Sequence, residues 1–104
     1  MRIKIYQIDM DRDDERIAFE SLDNLKRYTG RAVVKREIYD MAYECEVGED
    51  VTLEDIYCTF NMNHPEDYRA RSISVSDVVE TPAGLFFCDS FGWKKIEWDK
   101  EVAA

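Results

Sequence analysis

A strand that is apolar on both of its sides belongs in the interior of a sheet, between two others, and residues 2–9, "RIKIYQID", read as one. Ile3, Ile5 and Gln7 alternate there with Lys4, Tyr6 and Ile8. Everything after this run must supply its neighbours. The charged "DMDRDDER" that follows is a turn or exposed loop, and "IAFES" predicts a short second strand. "SLDNLKRYTG" predicts a helix: Ser21 caps its first amides, Leu22, Leu25 and Tyr28 share a face, and Gly30 stops it. "EIYDMAYECEV" keeps period two, with Tyr39, Met41, Tyr43, Cys45 and Val47 on one side and Asp40, Ala42, Glu44 and Glu46 on the other.

"TLEDIYCTFN" predicts the second helix. Thr52 caps it, Glu54 and Asp55 favour its positive end, and Leu53, Ile56, Tyr57 and Phe60 form the apolar face. "RSISVSDVVE" alternates again, "TPAG" turns the chain into "LFFCDSF", and "GWKKIEW" supplies a last strand, so the C-terminal part predicts an antiparallel meander. The fold class that results is α+β: a four- to five-stranded, mainly antiparallel sheet with two short helices packed on one face. At 104 residues the chain is expected to form a single domain, 1–104.

Charge is where the sequence is least even. Between Glu37 and Tyr68 there are ten acids and no Lys or Arg, whereas the rest of the chain holds 13 acids and 14 bases. The net charge of −9 therefore belongs to one continuous stretch. Its candidate partner-binding residues are Asp40, Glu44, Glu46, Glu49, Asp50, Glu54 and Asp55, with Trp93 and Trp98 as secondary aromatic candidates. Residues two apart on a strand repeat every ~6.6 Å, so Asp40, Glu44 and Glu46 are expected to form a charged row. The other reading of the same block is a solvated face that protects a sheet edge and keeps the chain in solution.

Catalytic chemistry finds little to rest on. His64 is the sole histidine and precedes Pro65 in a polar loop, and no nucleophile or orienting partner is placed beside it by sequence. Cys45, Cys58, His64 and Cys88 are spaced by 13, 6 and 24 residues, with no Cys-x-x-Cys pair, so core thiols are expected rather than a metal site. Asp77 and Asp89 would meet only if adjacent strands faced them together; Ser and Asp at strand ends more often bind turns. The four glycines are isolated and form no phosphate loop. The reading is a non-enzyme with no catalytic residue, no cofactor and no metal.

Direct nucleic-acid binding is not expected either. The basic pairs Arg69 with Arg71 and Lys94 with Lys95 are too short for the stripe that phosphate neutralisation requires. An acidic surface suits a basic partner. No run approaches the ~18–20 apolar residues of a membrane span, and "MRIKIYQIDMDRDD" lacks the apolar core of a signal peptide. The expectation is a cytoplasmic protein with reduced thiols and no membrane contact. Nothing in the sequence sets an oligomeric state.

The segments "RARSISVSDVVE" and "GLFFCDSFGWKKIEWD" resemble the YodL-like domain family, and the N-terminal and middle segments fit its small stand-alone members. The resemblance covers nearly the whole chain. It departs at "TPAG", a short turn where relatives often carry a longer acidic insertion. It implies a setting: cargo of conjugative transposons and related mobile elements, often beside anti-restriction genes. It carries over no catalytic residue. The function expected is a small acidic binding protein of such an element, masking the basic nucleic-acid-binding surface of a host defence nuclease. The alternative is an accessory module for transfer or replication of the element, with its acids only solubilising.

Overall fold

The computed structural model describes residues 1–30 and 34–99, the side chains of residues 28 and 29 excepted. Five strands form one sheet: β1 (Arg2–Ile8), β2 (Tyr39–Glu46), β3 (Val78–Thr81), β4 (Gly84–Cys88) and β5 (Trp93–Ile96). Their spatial order is β2-β1-β3-β4-β5, every neighbouring pair antiparallel. β1 is flanked on both sides, as its apolar character requires. The C-terminal meander is present, and its first hairpin turns through Pro82 and Ala83 into Gly84. Gly84 sits at φ 136°, a backbone conformation that glycine alone adopts readily; a Cβ there would meet only the movable end of Lys95.

Two helices complete the architecture: α1 (Leu22–Thr29) and α2 (Leu53–Met62). The Ser21 side chain accepts from the Asn24 amide at 3.2 Å, and Gly30 closes α1 in the left-handed region at φ 79°. The placement of Tyr28 on the apolar face of α1 lies outside the described side chains. At the start of α2, Thr52 Oγ1 accepts from the Asp55 amide at 3.1 Å while the Asp55 carboxylate accepts from the Thr52 amide at 3.0 Å. These bonds hold the Asp55 carboxyl below its ordinary range. Thr52→Ala is expected to cost about 1 kcal/mol, read as a lower urea midpoint, with Thr52→Ser recovering most of it.

The helices do not share a face of the sheet, contrary to the sequence expectation. α1 contributes Leu25 to a cluster with Tyr6, Ile8, Tyr39, Val78, Phe87 and Ile96. α2 contributes Ile56 and Phe60 to another with Ile3, Ile5, Tyr68, Ile73, Val79 and Cys88. Adjacent residues of one strand point to opposite faces, and Val78 with Val79, or Phe87 with Cys88, divide between the two clusters accordingly. The physical reason lies in β1 and β3, which are apolar on both sides and need a cover above and below.

Three further expectations are corrected. Residues 17–21 form a turn, not a strand: the Asp13 carboxylate accepts from the amides of Ile17 and Ala18, both at 2.9 Å, and Arg16 and Phe19 take positive φ. The run 72–77 is not strand either, so β3 begins only at Val78. Asn61 clamps Ile73, accepting from its amide at 2.6 Å and donating to its carbonyl at 2.9 Å, and Ser74 to Asp77 turn. Lastly, β2 carries a bulge. Its register against β1 steps from Ile5↔Tyr43 to Tyr6↔Met41, leaving Ala42 as the extra residue. Tyr39 therefore packs on the α1 side while Tyr43 and Cys45 pack on the α2 side.

Candidate functional site

The bulge breaks the acidic row. Residues directly opposite across an antiparallel pair share a face. Asp40 opposes Gln7, on the α2 side, whereas Glu44 opposes Lys4 and Glu46 opposes Arg2, on the α1 side. The three acids are also paired with bases that lie far from them in sequence. Arg12 reaches Asp40 at 2.6 Å; Arg2 reaches Glu44 at 3.1 Å and Glu46 at 3.5 Å. The Arg2 hydrogen bond holds the Glu44 carboxyl below its ordinary range. The N-terminal ammonium stands 3.0 Å from Glu49 and 3.8 Å from Glu46. Such exposed pairs contribute about 0–1 kcal/mol each, yet they cancel the local field.

Of the seven candidates, Asp50, Glu54 and Asp55 have no cation within ion-pair distance among the described residues, and all three are exposed. They cluster in the loop before α2 and in its first turn. Within the block, then, β2 is largely neutralised and the start of α2 is not.

The aromatic candidates are half-buried rather than exposed. Trp98 packs on the α1 side, edge-on to Tyr6 at 5.4 Å and tilted on Tyr39 at 5.3 Å, with the Arg36 guanidinium 5.7 Å above its ring. Trp93 opposes Cys88 and is half-buried against the α2 side. The exposed apolar side chains are others, above all Phe91 and Met62, at 91% and 83% exposure. Cys58, expected in the core, is exposed; Cys45 is half-buried and Cys88 buried. Burial, with smaller contributions from Asp77, Glu54 and Asp89, pushes the Cys88 thiol up to about 12.

His64, Asp77 and Asp89 do not converge. His64 is exposed, tilted against Tyr68 with ring centroids 5.6 Å apart. Asp89 Oδ1 accepts from the Leu22 amide at 3.1 Å and the Ser90 amide at 2.8 Å, tying the β4 end to the start of α1. Asp77 is fully buried. Its Oδ2 accepts from the Ser74 amide at 2.8 Å and from Gln7 Nε2 at 3.1 Å, while its Oδ1 has no hydrogen-bond partner. The nearest cation is Arg71, whose Nη2 lies 3.9 Å from Oδ1 and donates to the Ile8 carbonyl at 3.1 Å. Arg71 is thus turned toward the sheet, so the short Arg69/Arg71 pair presents no basic stripe, in line with the expectation. Among the described residues no three His, Cys, Asp or Glu gather as metal ligands.

One pocket joins elements the sequence did not connect. A hollow of about 170 Å³ opens between α2 and the β4–β5 turn, lined by Glu54, Tyr57, Val75, Cys88, Asp89, Ser90, Gly92 and Trp93. Tyr57 was expected on the apolar face of α2 but is exposed at its margin. The readable signal was the i, i+3 spacing that puts Glu54 and Tyr57 on one side of the helix.

The sequence model of the YodL-like domain matches residues 2–98. The chain belongs to the YodL-like domain family. No curated protein and no solved structure matches it. In this YodL-like chain the run "SVSDVV" closes a buried junction. Ser76, at φ 83°, is held on three sides: Tyr39 Oη donates to its carbonyl at 2.6 Å, its Oγ accepts from the Phe19 amide at 2.9 Å, and its amide donates to the Cys88 carbonyl at 2.9 Å. The Cys88 amide returns a bond to the Asp77 carbonyl at 2.8 Å. A non-glycine residue in that region costs of order 1–3 kcal/mol and persists only where its surroundings fix it. Most of the run is thus architecture, while "CDS" and "GW" also line the pocket.

No described helix is long and apolar enough to cross a membrane.

Proposed function

We propose that this YodL-like chain is a small acidic, non-enzymatic binding protein of a conjugative or related mobile element. In this reading it masks a basic nucleic-acid-binding surface of a host defence nuclease, as an anti-restriction or anti-CRISPR-like protein does. It acts in the cytoplasm, on protein rather than on nucleic acid or membrane. The observation that carries the reading is that Asp50, Glu54 and Asp55 have no ion pair among the described residues, next to a segment whose acids are paired. A basic channel would be steered toward that end of the molecule, with association falling as salt rises. Duplex DNA carries a charge every ~1.7 Å of axis, so three acids compete with part of a channel and not with its whole length.

The test is establishment of an unmodified plasmid in hosts carrying restriction or CRISPR systems. Expressing the chain is expected to raise transformation about tenfold or more in at least one such host, and Asp50→Lys with Glu54→Lys to abolish the gain. A tenfold change needs only ~1.4 kcal/mol. Asp40→Lys with Glu44→Lys should retain most of it, since those acids are already neutralised. No protection in any host, or equal protection by the Asp50/Glu54 variant, would sink the reading.

A second reading has its own observation. β2 is an edge strand, and its acids blunt that edge against pairing with other chains. Under it the chain is an accessory module for transfer or replication, docking elsewhere, and both charge variants would behave alike.

A further inference from the structure

We propose that the pocket between α2 and the β4–β5 turn receives one arginine side chain presented by a basic partner. The inference deepens the masking reading and rests on it for the source of the arginine. Size sets the ligand class first. Sites for whole small molecules run to about 300–1,000 Å³, and this one is about 170 Å³, room for a single long side chain.

Chemistry then sets the head group. No lining residue is cationic, while Glu54 enters from the first turn of α2 and Asp89 from the end of β4. Glu54 is exposed and has no ion pair among the described residues. Asp89 commits Oδ1 to two amides, and its Oδ2 takes no hydrogen bond among the described residues. Asp89 is half-buried, and its Oδ2 is not among the buried atoms left without a partner. Two carboxylate-bearing residues in the lining suit a planar fork of donors better than a single ammonium. Tyr57 and Trp93 are also among the lining residues, and a guanidinium stacks on aromatic faces. The lysines of β5 do not fill the place: neither lines the pocket, and Lys95 lies over Gly84 at the far end of its hairpin. Phe91, nearly fully exposed beside the mouth, gives an approaching surface an apolar contact.

The experiment titrates the full chain with the peptide acetyl-Gly-Arg-Gly-amide and follows amide shifts by two-dimensional NMR, in parallel with the citrulline peptide, the neutral isostere. Saturable shifts of Ser90, Gly92 and Trp93 are expected with arginine and not with citrulline. Glu54→Gln and Asp89→Asn should each weaken binding about fivefold, the upper range of exposed charge pairs. Asp89→Asn keeps an oxygen for the Leu22 and Ser90 amides, so the fold is retained. Equal binding of citrulline, shifts spread over the other acids, or unweakened variants would each overturn the site. Arginine binding here without protection of a plasmid would defeat the masking reading and leave the pocket standing. Protection undiminished by Glu54→Gln and Asp89→Asn together would overturn the pocket as the partner's anchor.

Discussion

Phe87→Ala is expected to destabilise the protein by about 3–5 kcal/mol, the cost of emptying a large buried site that cannot collapse. Phe87 has no exposed surface, opposes Val78 on β3, and packs among Tyr6, Ile8, Leu25 and Ile96 under α1. Domains of this size are stable by roughly 5–15 kcal/mol, so the loss is a large fraction of the whole. Phe86→Ala is the control. Phe86 is only half-buried and points to the other face, beside Val51, Leu53 and Ile56 at the margin of α2. It should cost clearly less in a urea titration with an unchanged slope. Equal losses, or a negligible loss at Phe87, would contradict the division of the sheet into two covered faces.

That division was only half legible. Local chemistry marked both helices: Ser21 and Gly30 bound α1, and Thr52 with Asp55 starts α2. It marked β1 as central and the hairpin at Pro82–Ala83. What period-two reading could not see is the Ala42 bulge. Tyr39 and Met41 before it, and Tyr43 and Cys45 after it, keep one apolar parity through the insertion. Because β1 has cover on both faces, either parity finds somewhere to bury, and the pattern stays silent. The charge block misled for a related reason. Its bases, Arg2, Arg12 and the N-terminal amine, arrive by strand pairing and loop closure from 28 (Arg12 to Asp40) to 48 (Met1 to Glu49) residues away in the chain. Trp98 looked exposed because its neighbours on the α1 side, Tyr6 and Tyr39, are more distant still in the chain.

Asp77→Asn is expected to change how stability depends on pH. Burial pushes the Asp77 carboxyl up to about 6 from its ordinary 3.8, against the pull of the Ser74 amide, Gln7 and Arg71. The other titratable groups around it are Tyr39, Tyr68 and Cys88, each raised chiefly by burial and further by the Asp77 charge, and none of them titrates in the acid range. With the folded carboxyl raised, the native state holds the proton more tightly than the unfolded chain between pH 3.8 and about 6. Stability from this group is therefore complete below pH 3.8 and is lost as pH rises through about 6. A gap of roughly two pH units corresponds to about 3 kcal/mol. Asparagine places a neutral amide in the same volume, keeps an oxygen for the Ser74 amide and Gln7, and cannot titrate. The difference in unfolding free energy between wild type and Asp77→Asn should therefore shift by about 2 kcal/mol, against wild type, from pH 4 to pH 6.5 and then stay flat. The opposing pH dependence of Glu44 and Asp55, whose carboxyls are lowered, cancels in that difference. A difference constant over the window would mean that Asp77 is charged in the fold at pH 4, with its second oxygen stabilised by Arg71 far more than 3.9 Å implies.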